Sequence, residues 1–121
     1  MDRERFDALV DEALRELPDE FRDRMENIAI TVEHYPTRHD LSSVGLDDKR
    51  SLLGLFRGVP AGKTSYFYSG PIMPSEIVLF QKNIEAMTNT EEGIIEQIRI
   101  TLLHEIGHHF GMTEEELEEY S

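Results

Sequence analysis

The sequence contains no cysteine. That absence excludes a disulfide framework and any thiolate metal site, so a transition metal here must be held by histidine and carboxylate. Long apolar runs are missing as well. No stretch is long enough to cross a bilayer, and Met1-Asp2-Arg3-Glu4-Arg5 leads into a charged amphipathic segment without a signal peptide's apolar block. The expectation is a cytoplasmic protein with no membrane partner. Basic residues are scarce, 12 against 25 acidic ones, for a formal net charge of −13. A phosphate backbone would be repelled over most of such a surface, which argues against nucleic acid as a ligand. The charge serves solubility first, and a basic protein substrate or partner is the class of macromolecule it would attract. Repeats, linkers and low-complexity tracts are also absent. With 121 residues, 39% of them apolar, the chain fits a single folded domain over residues 1–121.

Phe6, Leu9, Val10, Ala13, Leu14 and Leu17 recur at helical spacing and predict an amphipathic first helix that stops before Pro18. Ile28, Ile30 and Val32 alternate with Ala29, Thr31 and Glu33, the period of a half-buried strand. Polar residues dominate from Thr37 to Lys49, which predicts a surface loop. Leu52, Leu53, Leu55 and Phe56 predict a second strand, closed by Gly58, Pro60 and Gly62. The stretch from Thr64 to Pro74 has the character of a hairpin arm. Ile77 to Phe80 forms a strand apolar enough to be covered on both faces. Thr88, Asn89 and Thr90 before Glu91 and Glu92 mark the start of a long helix. Its residues Ile94, Ile95, Ile98, Leu102, Leu103, Ile106 and Phe110 spread over a wide arc, and Gly111 ends it. Thr113 and Glu116 then spell a capping box for a short last helix reaching about Tyr120. The fold class is α+β: a small mixed sheet of three or four strands packed on a central helix, with an N-terminal amphipathic helix and a short C-terminal one.

The central helix ends in His104-Glu105-Ile106-Gly107-His108. Two histidines four residues apart lie one turn above each other on nearly the same helix face, so both imidazoles can reach one ion. Zinc suits such donors, and three protein ligands leave its fourth position to water. Glu105 sits to one side of the ligand face, where a carboxylate can receive a proton without occupying the metal. Gly111 permits a sharp turn through positive φ that would return Glu114 toward the metal as third ligand, completing HExxHxxGxxE.

Other residues compete for these roles. The helix dipole alone favours an acidic residue at 114, Glu116 is explained by the capping box and Glu115 by solvation. His34 and His39 are loop histidines, more often solvated than ligating. Tyr66 and Tyr68 are aromatic residues more often core than oxyanion donors. His109 points about 100° away from His108, toward packing or toward supporting a metal ligand from behind. Gly107 inside the helix predicts the close approach of another backbone near the metal.

These residues resemble the small zincin-like metallopeptidases of bacteria, the minimal form with an HExxHxxGxx(D/E) helix near the C-terminus. The likeness covers most of the chain. It includes Leu17-Pro18 with Phe21, the Ile28 to Glu33 strand, Leu53-Gly54-Leu55-Phe56 with Gly58, and Pro74 with Ile77-Val78-Leu79-Phe80. Its specific part is Leu103-His104-Glu105-Ile106-Gly107-His108-His109-Phe110-Gly111. The resemblance implies one zinc ion (Zn2+) per chain on His104, His108 and Glu114, with Glu105 as the catalytic residue. The chain departs from larger metzincins in that seven residues follow Glu114, too few for their Met-turn, and Met112 is too close to serve.

The function expected is that of a zinc-dependent metallopeptidase hydrolysing peptide bonds of a peptide or protein substrate, with a metal-activated water and a glutamate general base. Two alternatives stand beside it: a non-catalytic, zinc-stabilised acidic binding or regulatory module, and a metal-dependent endoribonuclease. Glu105 disfavours the first, since a structural site needs no base. The acidic surface disfavours the second.

Overall fold

The computed structural model describes residues 1–57 and 75–120. Gly58, Pro60 and Gly62, and the hairpin arm expected between Thr64 and Pro74, lie outside the described residues. Helix α1 (Arg3–Arg15) starts where the Asp2 carboxylate accepts the Arg5 N–H at 2.8 Å, and it buries Phe6, Leu9, Val10 and Ala13. Pro18 ends that run, as expected, and opens a short helix α2 (Asp19–Arg24) that buries Phe21. Strand β1 (Ile28–Glu33) follows.

The segment expected to be a surface loop holds helix α3 (Arg38–Ser43). Thr37 and Asp40 form a reciprocal capping box that fixes its first turn, and Leu41 anchors it at 6% exposure. The polarity that pointed to a loop is that of a six-residue helix showing one apolar residue to the core. Strand β2 (Gly54–Arg57), strand β3 (Ser75–Phe80) and a short helix α4 (Gln81–Glu85) lead to the long helix α5 (Glu91–His109), and α6 (Glu114–Glu118) ends the described fold. The cap expected from Thr88-Asn89-Thr90 is Thr90, whose hydroxyl accepts the Gly93 N–H at 3.0 Å. No helix among the described residues is long and apolar enough to cross a membrane.

The three described strands run in the order β1-β3-β2, with β1 parallel and β2 antiparallel to β3. Residues directly opposite each other share a face. Ile28, Ile30, Val32, Ile77, Leu79 and Phe56 therefore project to one side, where they join Phe6, Leu9 and Val10 of α1 and Ile94, Ile98, Leu102, Leu103 and Ile106 of α5 in the main core. On the other side Leu55, Val78 and Phe80 make a smaller cluster with Leu52. Central strand β3 is covered on both faces, with Ile77 through Phe80 at 0% exposure, while β2 pairs on one side only among the described residues.

Beside the smaller cluster, Arg57 ties β2 to three neighbours. Its Nε and Nη2 donate to the two Asp40 carboxylate oxygens at 2.9 and 2.5 Å, its Nη1 and Nη2 donate to Glu33 at 2.9 and 3.2 Å, and Nη1 reaches Glu76 at 3.5 Å. Glu76 also accepts from the Thr31 hydroxyl at 2.8 Å. Burial would push the Asp40 carboxyl up, but the Arg57 guanidinium and the N–H and hydroxyl of Thr37 hold it below the ordinary carboxylate range. The stability this contributes is present above that ordinary range and is lost as pH falls through the depressed value. Arg57→Gln leaves Asp40 buried without its cation, so it is expected to cost about 1–3 kcal/mol near neutral pH. Thermal melts across pH should show the gap to wild type narrowing in acid as Asp40 becomes protonated; a gap independent of pH would show that this pairing carries no such stability.

Candidate metal centre

Helix α5 is most buried in its middle, where Ile98, Thr101, Leu102 and Leu103 sit in the core, while Glu91, Glu92 and Glu96 are exposed in its first half and its last turn returns to the surface. Ile106 is fully buried, whereas the side chains of His104 and His108 are 44% and 54% exposed. Their rings lie one turn apart, nearly parallel at 12°, with centroids 6.0 Å apart. The i, i+4 spacing thus delivers what it predicts, two imidazoles on one solvent-facing side.

The chain then turns back on itself. Gly111 adopts φ +76°, its N–H donates to the His108 carbonyl at 3.1 Å, and the Met112 N–H donates to the Gly107 carbonyl at 2.8 Å. This is the paired hydrogen-bond pattern of a Schellman ending, which requires the left-handed conformation that glycine supplies. Thr113 follows as N-cap of α6 in the expected box with Glu116. The reversal brings Glu114 to the histidines: Oε1 lies 2.8 Å from His108 Nε2 and Oε2 lies 3.6 Å from His104 Nε2. One carboxylate thus faces both imidazole nitrogens. Glu116 is committed to its capping bonds, and Glu115 is exposed.

Glu105 lies on the other side of the pair and is partly buried. Burial pushes its carboxyl up from the ordinary range, against the smaller pulls of His108 and of a hydrogen bond from the Phe56 backbone. Phe56 belongs to β2, and its N–H points away from β3 because the neighbouring residues, not Phe56, bond to that strand. The same residue stacks its ring on His109 at 4.1 Å between centroids and 15° between planes. His109 is therefore a packing residue. The phenyl ring of Phe110, 39% exposed, meets His109 edge-on and carries the Arg24 guanidinium at 5.2 Å; it does not close the core as its place in the apolar arc predicted.

One sequence expectation changes, while His34 and His39 are exposed, in keeping with the solvated reading. Gly107 is not approached by another backbone; a side chain fills the space, and a Cβ at 107 would lie 2.3 Å from Leu117 Cδ2. His39 lines a cavity of about 390 Å³ with Asp40, Ser43, Leu55, Phe56 and Arg57, and His34 accepts the Lys82 N–H through its backbone carbonyl at 3.2 Å. Tyr66 and Tyr68 lie outside the described residues. Sequence reasoning passed over the contacts of Phe56 and Leu117 with the motif helix; a glycine inside that helix was the available signal for Leu117, and none existed for Phe56.

The donor set of two imidazoles and one carboxylate on an open face is chemically suited to zinc. No group of three or more histidine or acidic side chains among the described residues is spaced to grip an ion as it stands. At 2.8 Å, Glu114 Oε1 and His108 Nε2 share a hydrogen bond.

The stack of Phe56 on His109 is expected to contribute to the grip of β2 on α5. A double-mutant cycle with Phe56→Leu and His109→Gln, read by chemical denaturation, should give a coupling of about 0.5–1 kcal/mol. A coupling near zero would mean that the rings touch without stabilising the junction.

Among curated proteins no match to this chain is found. The family model described as zincin-like metallopeptidase matches residues 25–121, which hold the sheet, the motif helix, the Gly111 turn and Glu114. On that match over most of its length, the chain belongs to the zincin-like metallopeptidase family.

Proposed function

We propose that this protein is a zinc-dependent metallopeptidase in which His104, His108 and Glu114 hold one zinc ion and Glu105 is the general base. The observation that carries the reading is the meeting of the Glu114 carboxylate with both imidazole nitrogens across the Gly111 turn. When bound, zinc supplies Lewis acidity that polarises a carbonyl and eases the ionisation of water. Glu105 takes the proton from the attacking water and returns it to the leaving amine. Burial supports that role, because a carboxyl with raised proton affinity is a stronger base once ionised. The Phe56 N–H steadies the carboxylate beside the metal face. The substrate is a peptide or protein, and a net charge of −13 favours one of basic character over any nucleic acid. A cytoplasmic location is part of this proposal; no helix among the described residues is long and apolar enough to cross a membrane.

Metal analysis of the purified protein should find about one zinc per chain. His104→Ala and His108→Ala should each lose most of it, and among Glu114→Ala, Glu115→Ala and Glu116→Ala the first should weaken affinity most. Wild-type zinc content in both histidine variants would remove the site.

Catalysis is tested separately from binding. Glu105→Gln keeps the shape of the side chain and removes the base, so it should retain zinc and fold normally. On a substrate found by screening an unbiased peptide library, its rate should fall by about 10²-fold or more. Cleavage at the wild-type rate by Glu105→Gln would sink the mechanism. If no peptide is cut by zinc-loaded wild type, the metal serves binding or structure instead.

A further inference from the structure

Gly107 stands between the two motif histidines in a helix, where glycine is the weakest former after proline. Its place is explained by α6. Leu117 is the buried residue of that five-residue helix, 2% exposed, and it lies where a side chain at 107 would be. A Cβ there would fall 2.3 Å from Leu117 Cδ2 and 3.1 Å from both Cδ1 and Cγ, so an alanine cannot coexist with Leu117 in its present place. Gly107 also accepts the Met112 N–H at 2.8 Å, so one residue anchors both the turn and the helix that follows it. Leu117 comes three residues after Glu114, about one turn along the same short helix. Glu114 itself is 67% exposed, so little of its side chain is packed against its surroundings.

From this arrangement we propose that Gly107 and Leu117 form a seat that sets how far Glu114 stands from the two histidines, and that both are positioning residues of the metal centre. Lifting Leu117 off residue 107 moves α6 as a unit, because its capping box holds its first turn rigid, and carries Glu114 away from the imidazoles. Tyr120 secures the far end against Phe21 at 4.8 Å, so the displacement is greatest at the Glu114 end. The inference rests on the reading of Glu114 as third ligand, and its test separates the two.

Zinc affinity is measured by chelator competition on the full chain, together with the visible spectrum of the cobalt-substituted protein, which reports ligand set and geometry without any substrate. Glu114→Ala tests the ligand reading and should show the largest loss. Gly107→Ala and Leu117→Ala should each weaken zinc by about tenfold, the low end for residues that orient a ligand, and should alter the cobalt spectrum. The double variant should be no weaker than the worse single one, since both remove the same seat. Leu117→Met, which keeps reach and adapts its shape, should bind close to wild type. Melting curves of the metal-free proteins establish that each variant is folded; if Gly107→Ala is not, the Leu117 pair decides. Wild-type affinity and spectrum in Gly107→Ala and Leu117→Ala, alongside a loss in Glu114→Ala, would overturn the seat while leaving the ligand in place. Additive losses in the double variant would overturn it too. An unchanged Glu114→Ala would overturn the ligand reading and the seat together.

Discussion

Two hydrogen bonds at the end of α5, from Gly111 N–H to the His108 carbonyl and from Met112 N–H to the Gly107 carbonyl, turn the chain back within three residues. Every donor of the candidate centre depends on that reversal. His104 and His108 come from the helix before it and Glu114 from the helix after it, and no long-range sheet contact is needed to bring them together. Such local closure suits a chain of this length, because the entropy of bringing residues 104 and 114 together is small. The sheet and α1 have a separate task, to hold α5 so that its last turns emerge from the core with the histidines facing out. Fully buried Ile98, Leu102 and Ile106 fix the rotation of the helix about its axis, and that rotation decides which way residues 104 and 108 point.

Glu105 has a different dependence. Its carboxyl faces the edge strand, so its surroundings are set by how β2 lies against α5. Phe56 holds that junction by its ring on His109, and its backbone faces the Glu105 carboxyl closely enough to oppose the upward pull of burial. Behind it, on the opposite face of the sheet, Arg57 bonds to Asp40, Glu33 and Glu76 and so links β2 to α3, β1 and β3. A short edge strand has few ladder bonds of its own, and an ion cluster spanning three other elements compensates for that. Arg57 touches no donor of the centre, yet it helps to locate the strand from which Phe56 reaches Glu105.

Much of this was legible in the sequence, and the unread remainder has physical causes. Helices α1 and α5 are long enough for the 3.6 period to show, and the cap at Thr90, the stop at Gly111 and the box at Thr113 are local chemistry that a sequence displays directly. Helices α2, α3 and α4 run five or six residues, under two turns, so no apolar period can accumulate in them. The box of Thr37 and Asp40 has the same spacing as that of Thr113 and Glu116, but it precedes a single buried apolar residue and disappears among polar neighbours. The histidine pair, Glu105 and Glu114 followed from spacing along one helix and one turn. Phe56 and Leu117 did not, because a contact between elements distant in sequence leaves no periodic trace. Gly107 announced that something came close, without saying that it would be a side chain.

The electrostatics of the junction favour the charges the centre requires. His108 is in the last turn of α5, where the aligned peptide dipoles make the helix end negative and favour a cation. Glu114 is in the first turn of α6, where the free N–H groups make the helix start positive and favour a carboxylate. Each effect is worth about 0.3–1 kcal/mol at an exposed site and is screened by salt. Neither would create a metal site by itself. Placed on either side of one glycine turn, they give the junction a field that suits a bound cation beside the carboxylate, and they leave selection of the ion to the two imidazoles. The same reversal that brings the donors together therefore also sets the field they sit in, so geometry and electrostatics at this end of the molecule cannot be altered independently.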